Sequence, residues 1–272
     1  MTDTHRAETG RNSPPLLEYR NVTVFRGDRI ALDRITLKVE LGENIAILGP
    51  NGSGKTTFIK TITRECYPFA GDPAPYLRLF GRERWNLFEL RQLIGIVTND
   101  LANDCAESRL PVQKIIVSSF FGSIGVWHDS TVTPQMAQKT AEVMSLLEIA
   151  QLAGRPVHEI STGELKRVVM ARALVHEPKA LLLDEPTSSL DPRAARGLRH
   201  IFRKIVSAGT NLIMVTHSLP DIIPEIARVI LLKEGRIVKD GPKAEVLTSA
   251  NLSDLFGLNL KVVRRDGYFH LL

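Results

Sequence analysis

The chain's 272 residues, 43% of them hydrophobic, can form a sizeable core: one large α/β domain, or a core carrying an inserted lobe. The net charge of +5 is a weak pointer to affinity for phosphate or an anionic membrane surface, and the basic residues are scattered and form no run suited to a nucleic-acid tail, so no nucleic-acid partner is expected. No stretch approaches the roughly 18 consecutive apolar residues of a membrane-spanning helix, and Cys66 and Cys105, far apart and without metal spacing, read as two reduced thiols of a cytosolic protein.

Met1 to Pro15 is polar and has no apolar stretch of the signal-peptide kind, so a disordered tail over 1–15 is expected. Leu17 to Phe25 and Ile30 to Val39 read as strands of an antiparallel hairpin turning at Arg26-Gly27-Asp28-Arg29. Asn44 to Leu48 is a short buried strand. The glycine-rich segment Gly49 to Thr57 follows it, and a helix starts over Thr57 to Thr63. After a glycine- and proline-containing segment, Phe69 to Pro75, strands are expected over Tyr76 to Phe80 and Leu93 to Val97. Leu110 to Ala173 reads as mainly helical, with helical spacing from Met136 to Leu147. Ala180 to Leu183 and Leu212 to Val215 are buried strand runs flanking a helix over Pro192 to Val206, a β-α-β unit of a parallel sheet. Two hairpins close the chain, one around Glu234-Gly235 and one over Lys261 to Leu272 around Asp266-Gly267. No internal repeat is present.

Four motifs carry chemistry. Gly49-Pro50-Asn51-Gly52-Ser53-Gly54-Lys55-Thr56-Thr57 fits the phosphate-loop pattern between a strand and a helix. Its glycines let successive N–H groups point at phosphate oxygens, and the helix dipole adds to that field. Lys55 would reach the β- and γ-phosphates, and Thr56 would hold Mg²⁺. Leu181-Leu182-Leu183-Asp184-Glu185 is an apolar strand ending in two acids: Asp184 is placed to coordinate the metal and Glu185 to polarise an attacking water. Ser161-Thr162-Gly163-Glu164 opens a helix. Its Ser-x-x-Glu spacing is a common capping box, and the same helix start is also an anion site. His217 ends the strand after that of Glu185, one crossover further on, so both side chains should meet at the C-terminal edge of the sheet, where open α/β sheets bind ligands.

In this order the motifs resemble those of the ATP-binding-cassette (ABC) ATPase family, from Leu17 to about Gly241. The correspondence covers the Walker A segment Gly49 to Thr57, the signature Ser161 to Glu164 (a variant of Ser-Gly-Gly-Gln), and the Walker B strand with Asp184 and the catalytic carboxylate Glu185. It extends to the D-loop Ser189-Leu190-Asp191 and the H-loop His217. The resemblance implies a P-loop NTPase (RecA-like) parallel-sheet core with an antiparallel β subdomain. It also implies a helical subdomain inserted at about 100–175 and a hairpin extension at about 242–272, all in one ATPase domain over 16–272. Two positions depart from the pattern. Asn99 stands where the Q-loop Gln is usual, keeping the amide but losing a methylene, and is expected to serve metal and water. The adenine-stacking aromatic falls by spacing on Arg26, with Phe25 one residue earlier. Either could cover the base, and Phe25 is preferred because adjacent strand residues point to opposite faces.

The resemblance further implies ATP and Mg²⁺ as ligands and a head-to-tail dimer with a second copy or a related cassette. Lys55, Thr56, Asp184, Glu185, Asn99 and His217 of one chain would then meet Ser161, Thr162, Gly163 and Glu164 of the other, with Asp191 at the seam. Most stand-alone cassettes of this size look like energising subunits of bacterial transporters, peripheral on the cytoplasmic face of the membrane. Membrane-spanning partners would dock near Asn99, in a region that takes in Phe120 to Trp127. The alternatives are a soluble cassette acting on a ribosome or nucleoprotein, and a structural cassette without hydrolysis. Against the first stand the single cassette and the lack of a coiled-coil insertion; against the second, Glu185 and His217.

Overall fold

The computed structural model describes residues 14–71, 73–125 and 132–272. The tail expected over 1–15 lies, except for its last two residues, outside the described residues, as do Val126 and Trp127 of the aromatic docking segment.

Strands β1 (Leu17–Arg26) and β2 (Arg29–Val39) form the expected hairpin, and β3 (Ile45–Leu48) leads into the phosphate loop and helix α1 (Lys55–Ile62). Then come β4 (Tyr76–Leu79), α2 (Leu87–Leu93), β5 (Ile94–Val97), α3 (Asn99–Ala106), α4 (Val112–Val117), α5 (Pro134–Leu146) and α6 (Thr162–Leu174). Strands β6 (Ala180–Asp184) and β7 (Asn211–Thr216) enclose α7 (Pro192–Ser207). The chain ends with β8 (Arg228–Lys233), β9 (Arg236–Pro242), α8 (Lys243–Val246), α9 (Ser249–Phe256), β10 (Val262–Arg265) and β11 (Tyr268–Leu271). Helices α2, α8 and α9 are additions to the sequence reading.

The central sheet runs β5-β6-β7-β3-β8-β9. Its first five strands are mutually parallel, and β9 turns back antiparallel on β8. Every residue of β3 is buried, as a parallel sheet covered on both faces requires. Alternate residues serve opposite layers. Ala46, Leu48, Leu181 and Leu183 join the core beneath α6 and α7; Ile45, Ile47, Leu182 and Ile213 join the one formed with β1, β2 and α1. The second, antiparallel sheet, β2-β1-β4, covers that latter side. Helix α7 shows why its sequence folds as it does. Asp191 caps it by accepting from the N–H groups of Arg193 and Ala194 at 2.8 and 2.9 Å, Pro192 occupies its first turn, and Ala195, Leu198, Ile201, Phe202 and Ile205 form the buried stripe. No helix among the described residues is long and apolar enough to cross a membrane.

Candidate nucleotide site

The phosphate loop leaves β3 at the C-terminal edge of the sheet. Gly49 admits no larger residue, because a Cβ there would lie 2.3 Å from the Leu232 carbonyl oxygen and 2.5 Å from Ser53 Oγ. Gly54, at φ 107°, begins α1 with no side-chain cap, and no acidic residue stands in the first turn. The first N–H groups of α1 are therefore free of side-chain acceptors, the arrangement that favours an anion. Ser53 Oγ is buried without a hydrogen-bond partner among the described residues, an orphan of the kind a phosphate oxygen would satisfy. Lys55, almost fully buried, donates from Nζ to the carbonyls of Gly49 (2.9 Å) and Pro50 (3.0 Å) and stands 3.6 Å from Glu185 Oε1.

Glu185 follows β6 with φ 48°, a left-handed conformation uncommon for a residue with a side chain. Its N–H donates to the Val215 carbonyl at 2.8 Å, tying it to the end of β7. That placement brings Glu185 Oε2 into contact with His217 Nδ1. Strand pairing sets Asp184 beside Val215, so the two acids and the histidine share one sheet edge. Asp184 is partly buried, and its pKa is pushed up to about 6, first by burial and then by the charge of Glu185, while Lys55 and Lys166 pull it back. A folded-state pKa above the usual 3.8 means that the ionised form is what costs stability.

Asp184→Asn should therefore stabilise the nucleotide-free protein by about 1 kcal/mol at pH 7.5, a figure discounted for the partial exposure of the carboxylate. The gain should be complete above about pH 7, shrink as the pH falls through about 6, and vanish only below about pH 3, where the native carboxyl is protonated in both folded and unfolded chains. Thermal melts of both proteins across that range check the sign; a less stable Asn variant at pH 7.5 would contradict it.

Asn99 is the first residue of α3, whose N-cap Thr98 accepts from Leu101 N–H at 3.3 Å. Asn99 Oδ1 accepts from Lys166 Nζ, and from Ser188 Oγ at 3.3 Å. Sequence reasoning missed Lys166 and Ser188. The available signal was a lysine one helical turn from Val169 and Met170, inside the buried stripe of α6.

A cavity of about 1090 Å³ joins these groups, lined by Asn51, Gly52, Gly54, Lys55, Thr56, Thr57, Asn99, Asp184 and Glu185. It continues between the core and the helical lobe past Phe88, Ile124, Arg172 and His176. Phe120, of the expected docking segment, packs edge-on against His176, with ring centroids 5.0 Å apart. Arg26, Arg29 and Ile30 line the cavity, whereas Phe25 turns to Phe69, with ring centroids 5.2 Å apart. The preference for Phe25 over Arg26 relied on strict alternation along β1. Register shifts at Val22, Val24 and Phe25 break that alternation, leaving both Phe25 and Arg26 exposed.

Ser161, Thr162, Gly163 and Glu164 lie apart from this constellation, at the start of α6. The capping box is complete: Glu164 N–H donates to Ser161 Oγ at 3.3 Å, and Ser161 N–H donates to Glu164 Oε2 at 2.8 Å. These hydrogen bonds from Ser161 hold the Glu164 carboxyl below the usual carboxylate range. Ser161 and Thr162 remain exposed.

For a divalent cation, Thr56, Asp184 and Asn99 bring hard oxygen donors to one cavity, and no cluster of three His, Cys, Asp or Glu exists among the described residues. That set fits a magnesium ion held largely by its nucleotide and poorly fits a dedicated all-protein metal cage.

A phosphate loop at the C-terminal edge of a parallel sheet, facing a strand-end Asp-Glu pair and a histidine, defines a P-loop nucleotide-binding protein. Residues 32–188 match the family described as ABC transporter. The chain belongs to that family and is an ATPase of the ABC type. It is 31% identical to the cobalt import ATP-binding protein CbiO of Rhodobacter capsulatus, over 86% of this chain and 81% of that one. It is 34% identical to the cell division ATP-binding protein FtsE of Mycobacterium tuberculosis, over 78% and 89% of the two chains. Among solved structures it resembles cbiO1 of Clostridium perfringens, part of the ABC transporter complex cbiONQ, at 26% identity and TM-score 0.74, covering 89% of this chain and 94% of that one.

Proposed function

We propose that this chain is the ATP-hydrolysing subunit of a transporter, working at the cytoplasmic face of the membrane and powering import of a small solute through separate membrane-spanning subunits. The observation that carries this reading is the continuity of one cavity from the phosphate loop, through Asn99, into the groove beside the helical lobe. A partner seated in that groove would touch the same Asn99 that stands among the site's oxygen donors. The groove is lined by the exposed apolar side chains Phe88 and Ile124, suited to a protein partner. Import is favoured by the likeness to the cobalt import protein.

In the proposed mechanism, the loop N–H groups, Ser53 and Lys55 bind the phosphates, and Arg26 covers the base by guanidinium stacking. Thr56, Asp184 and Asn99 would hold Mg²⁺, which neutralises charge on the phosphates when bound. Glu185 takes the proton from the attacking water, and His217, in contact with its other oxygen, fixes its orientation. The signature helix start at Ser161 to Gly163 closes the γ-phosphate from a second chain, with Asp191 and its D-loop at that seam. Without that second chain the site stays open to water and its preorganised stabilisation is weak.

The test is to co-express the chain with candidate polytopic membrane proteins of its source, purify any assembly into proteoliposomes, and follow solute entry with ATP on the cassette side. ATP-dependent uptake supports the reading. A cassette that copurifies with ribosomes and leaves the membrane protein behind would overturn it.

A further inference from the structure

Lys166 is 5% exposed, and among the described residues no carboxylate lies within 4.0 Å of it. Its ammonium donates to a neutral group, Asn99 Oδ1. A buried cation without a carboxylate in contact is costly, and such arrangements concentrate at functional sites. Burial pushes the Lys166 ammonium below its ordinary range, the charges of Asp184 and Glu185 pull it part of the way back, and Lys166 in turn favours the ionised form of Asp184. Lys55 is the other ammonium near this pair, but it is tied to the phosphate-loop carbonyls. Ser188, in the turn after Glu185, shares Asn99 Oδ1, so α3, α6 and the Walker B turn meet at one amide oxygen.

We propose that Lys166 is a positioning residue that acts as the resident cation of the acidic subsite, competing with the divalent cation both by its charge beside Asp184 and Glu185 and by occupying the one oxygen Asn99 has to offer. Asn99 Oδ1 has two lone pairs, and Lys166 and Ser188 take both. The amide can turn its oxygen towards a metal only by giving up at least one of them. Lys166 therefore sets the magnesium concentration at which the nucleotide site fills.

The inference rests on the assignment of Asp184 and Asn99 to the metal side of the site, and the test separates the two claims. A fluorescent ADP is bound to the full chain while Mg²⁺ is titrated, so the readout is nucleotide affinity and no turnover is needed. In the native protein Mg²⁺ should tighten ADP binding; if it does not, the metal-side assignment fails and takes this inference with it. Lys166→Gln keeps a donor for Asn99 and removes the charge. It should lower the half-saturating Mg²⁺ concentration by about three- to tenfold, from one unit charge lost in a partly screened setting. Lys166→Arg keeps the charge and should stay near the native value. A merely structural lysine would give the opposite pattern, because loosening α6 weakens metal binding or leaves it alone. A native-like midpoint in Lys166→Gln, or a higher one, with Mg²⁺ still tightening ADP in the native protein, overturns the role of Lys166 while sparing the metal site. Should the Gln variant not fold, Asn99→Ala, which removes the contested oxygen and leaves the lysine in place, should raise the Mg²⁺ midpoint. A lowered or unmoved midpoint there overturns the proposal.

Discussion

Replacing Glu185 with Gln should leave ATP bound and slow its turnover by about 10²- to 10⁴-fold, the range lost with a general base. The size of the effect follows from the carboxylate's surroundings. Glu185 stands between Lys55, 3.6 Å from one oxygen, and His217, in contact with the other. Gln keeps the shape and a hydrogen-bonding oxygen but cannot accept a proton, so affinity and chemistry separate in this one variant. The left-handed backbone at Glu185 adds no confounding strain, because the amide inherits the same φ of 48°. With hydrolysis blocked, the ATP-bound dimer should accumulate, and size-exclusion chromatography in Mg-ATP should show it for Glu185→Gln and not for the native chain. Native turnover in this variant would move the general base elsewhere.

How much of this site was legible in the sequence can be judged residue by residue. The strand β3, the loop and α1 announce themselves because phosphate binding constrains both residue types and spacing. Glu185 and His217 could be brought together in advance because β6, α7 and β7 form one crossover, and parallel neighbours share an edge. The left-handed turn that presents Glu185 was not legible; no glycine marks it. Helix α2 escaped because its apolar residues Leu87 and Phe88 face outward and only Leu90 is buried, so no core periodicity exists to read. Four-residue α8 is too short for any period. The choice between Phe25 and Arg26 rested on strict alternation, and irregular pairing in β1 leaves both side chains exposed, which a period-2 argument cannot anticipate. Lys166 illustrates the same limit in α6. Its position in a buried stripe was visible, but its partner Asn99 lies 67 residues away and only the fold joins them.

The signature helix offers the remaining large effect, because Ser161 has two possible jobs that make different predictions. As the N-cap of α6 it satisfies the Glu164 N–H, and Ser161→Ala should cost about 1 kcal/mol of stability. As a γ-phosphate ligand for a facing chain, it should matter to turnover and leave ATP binding by one chain nearly intact. The exposure of Ser161 and Thr162, at a helix start that does not line the cavity of the chain's own phosphate loop, favours a ligand brought by another chain. Ser161→Arg sharpens the contrast by putting a long side chain at that seam: binding to the isolated subunit should survive while hydrolysis by the dimer collapses. Lys55→Ala should fail differently, losing most ATP affinity together with all hydrolysis, since the β- and γ-phosphates lose their cation. Mixing the two inactive proteins then tests whether sites are shared. In each mixed dimer one site combines the damaged phosphate loop with the damaged signature, and the other site carries neither lesion. Partial ATPase activity should return on mixing, in proportion to the heterodimers formed. If heterodimers form and no activity returns, either the shared-site arrangement fails or both sites must fire together. A normal hydrolysis rate in Ser161→Arg alone would reduce the motif to its helix cap.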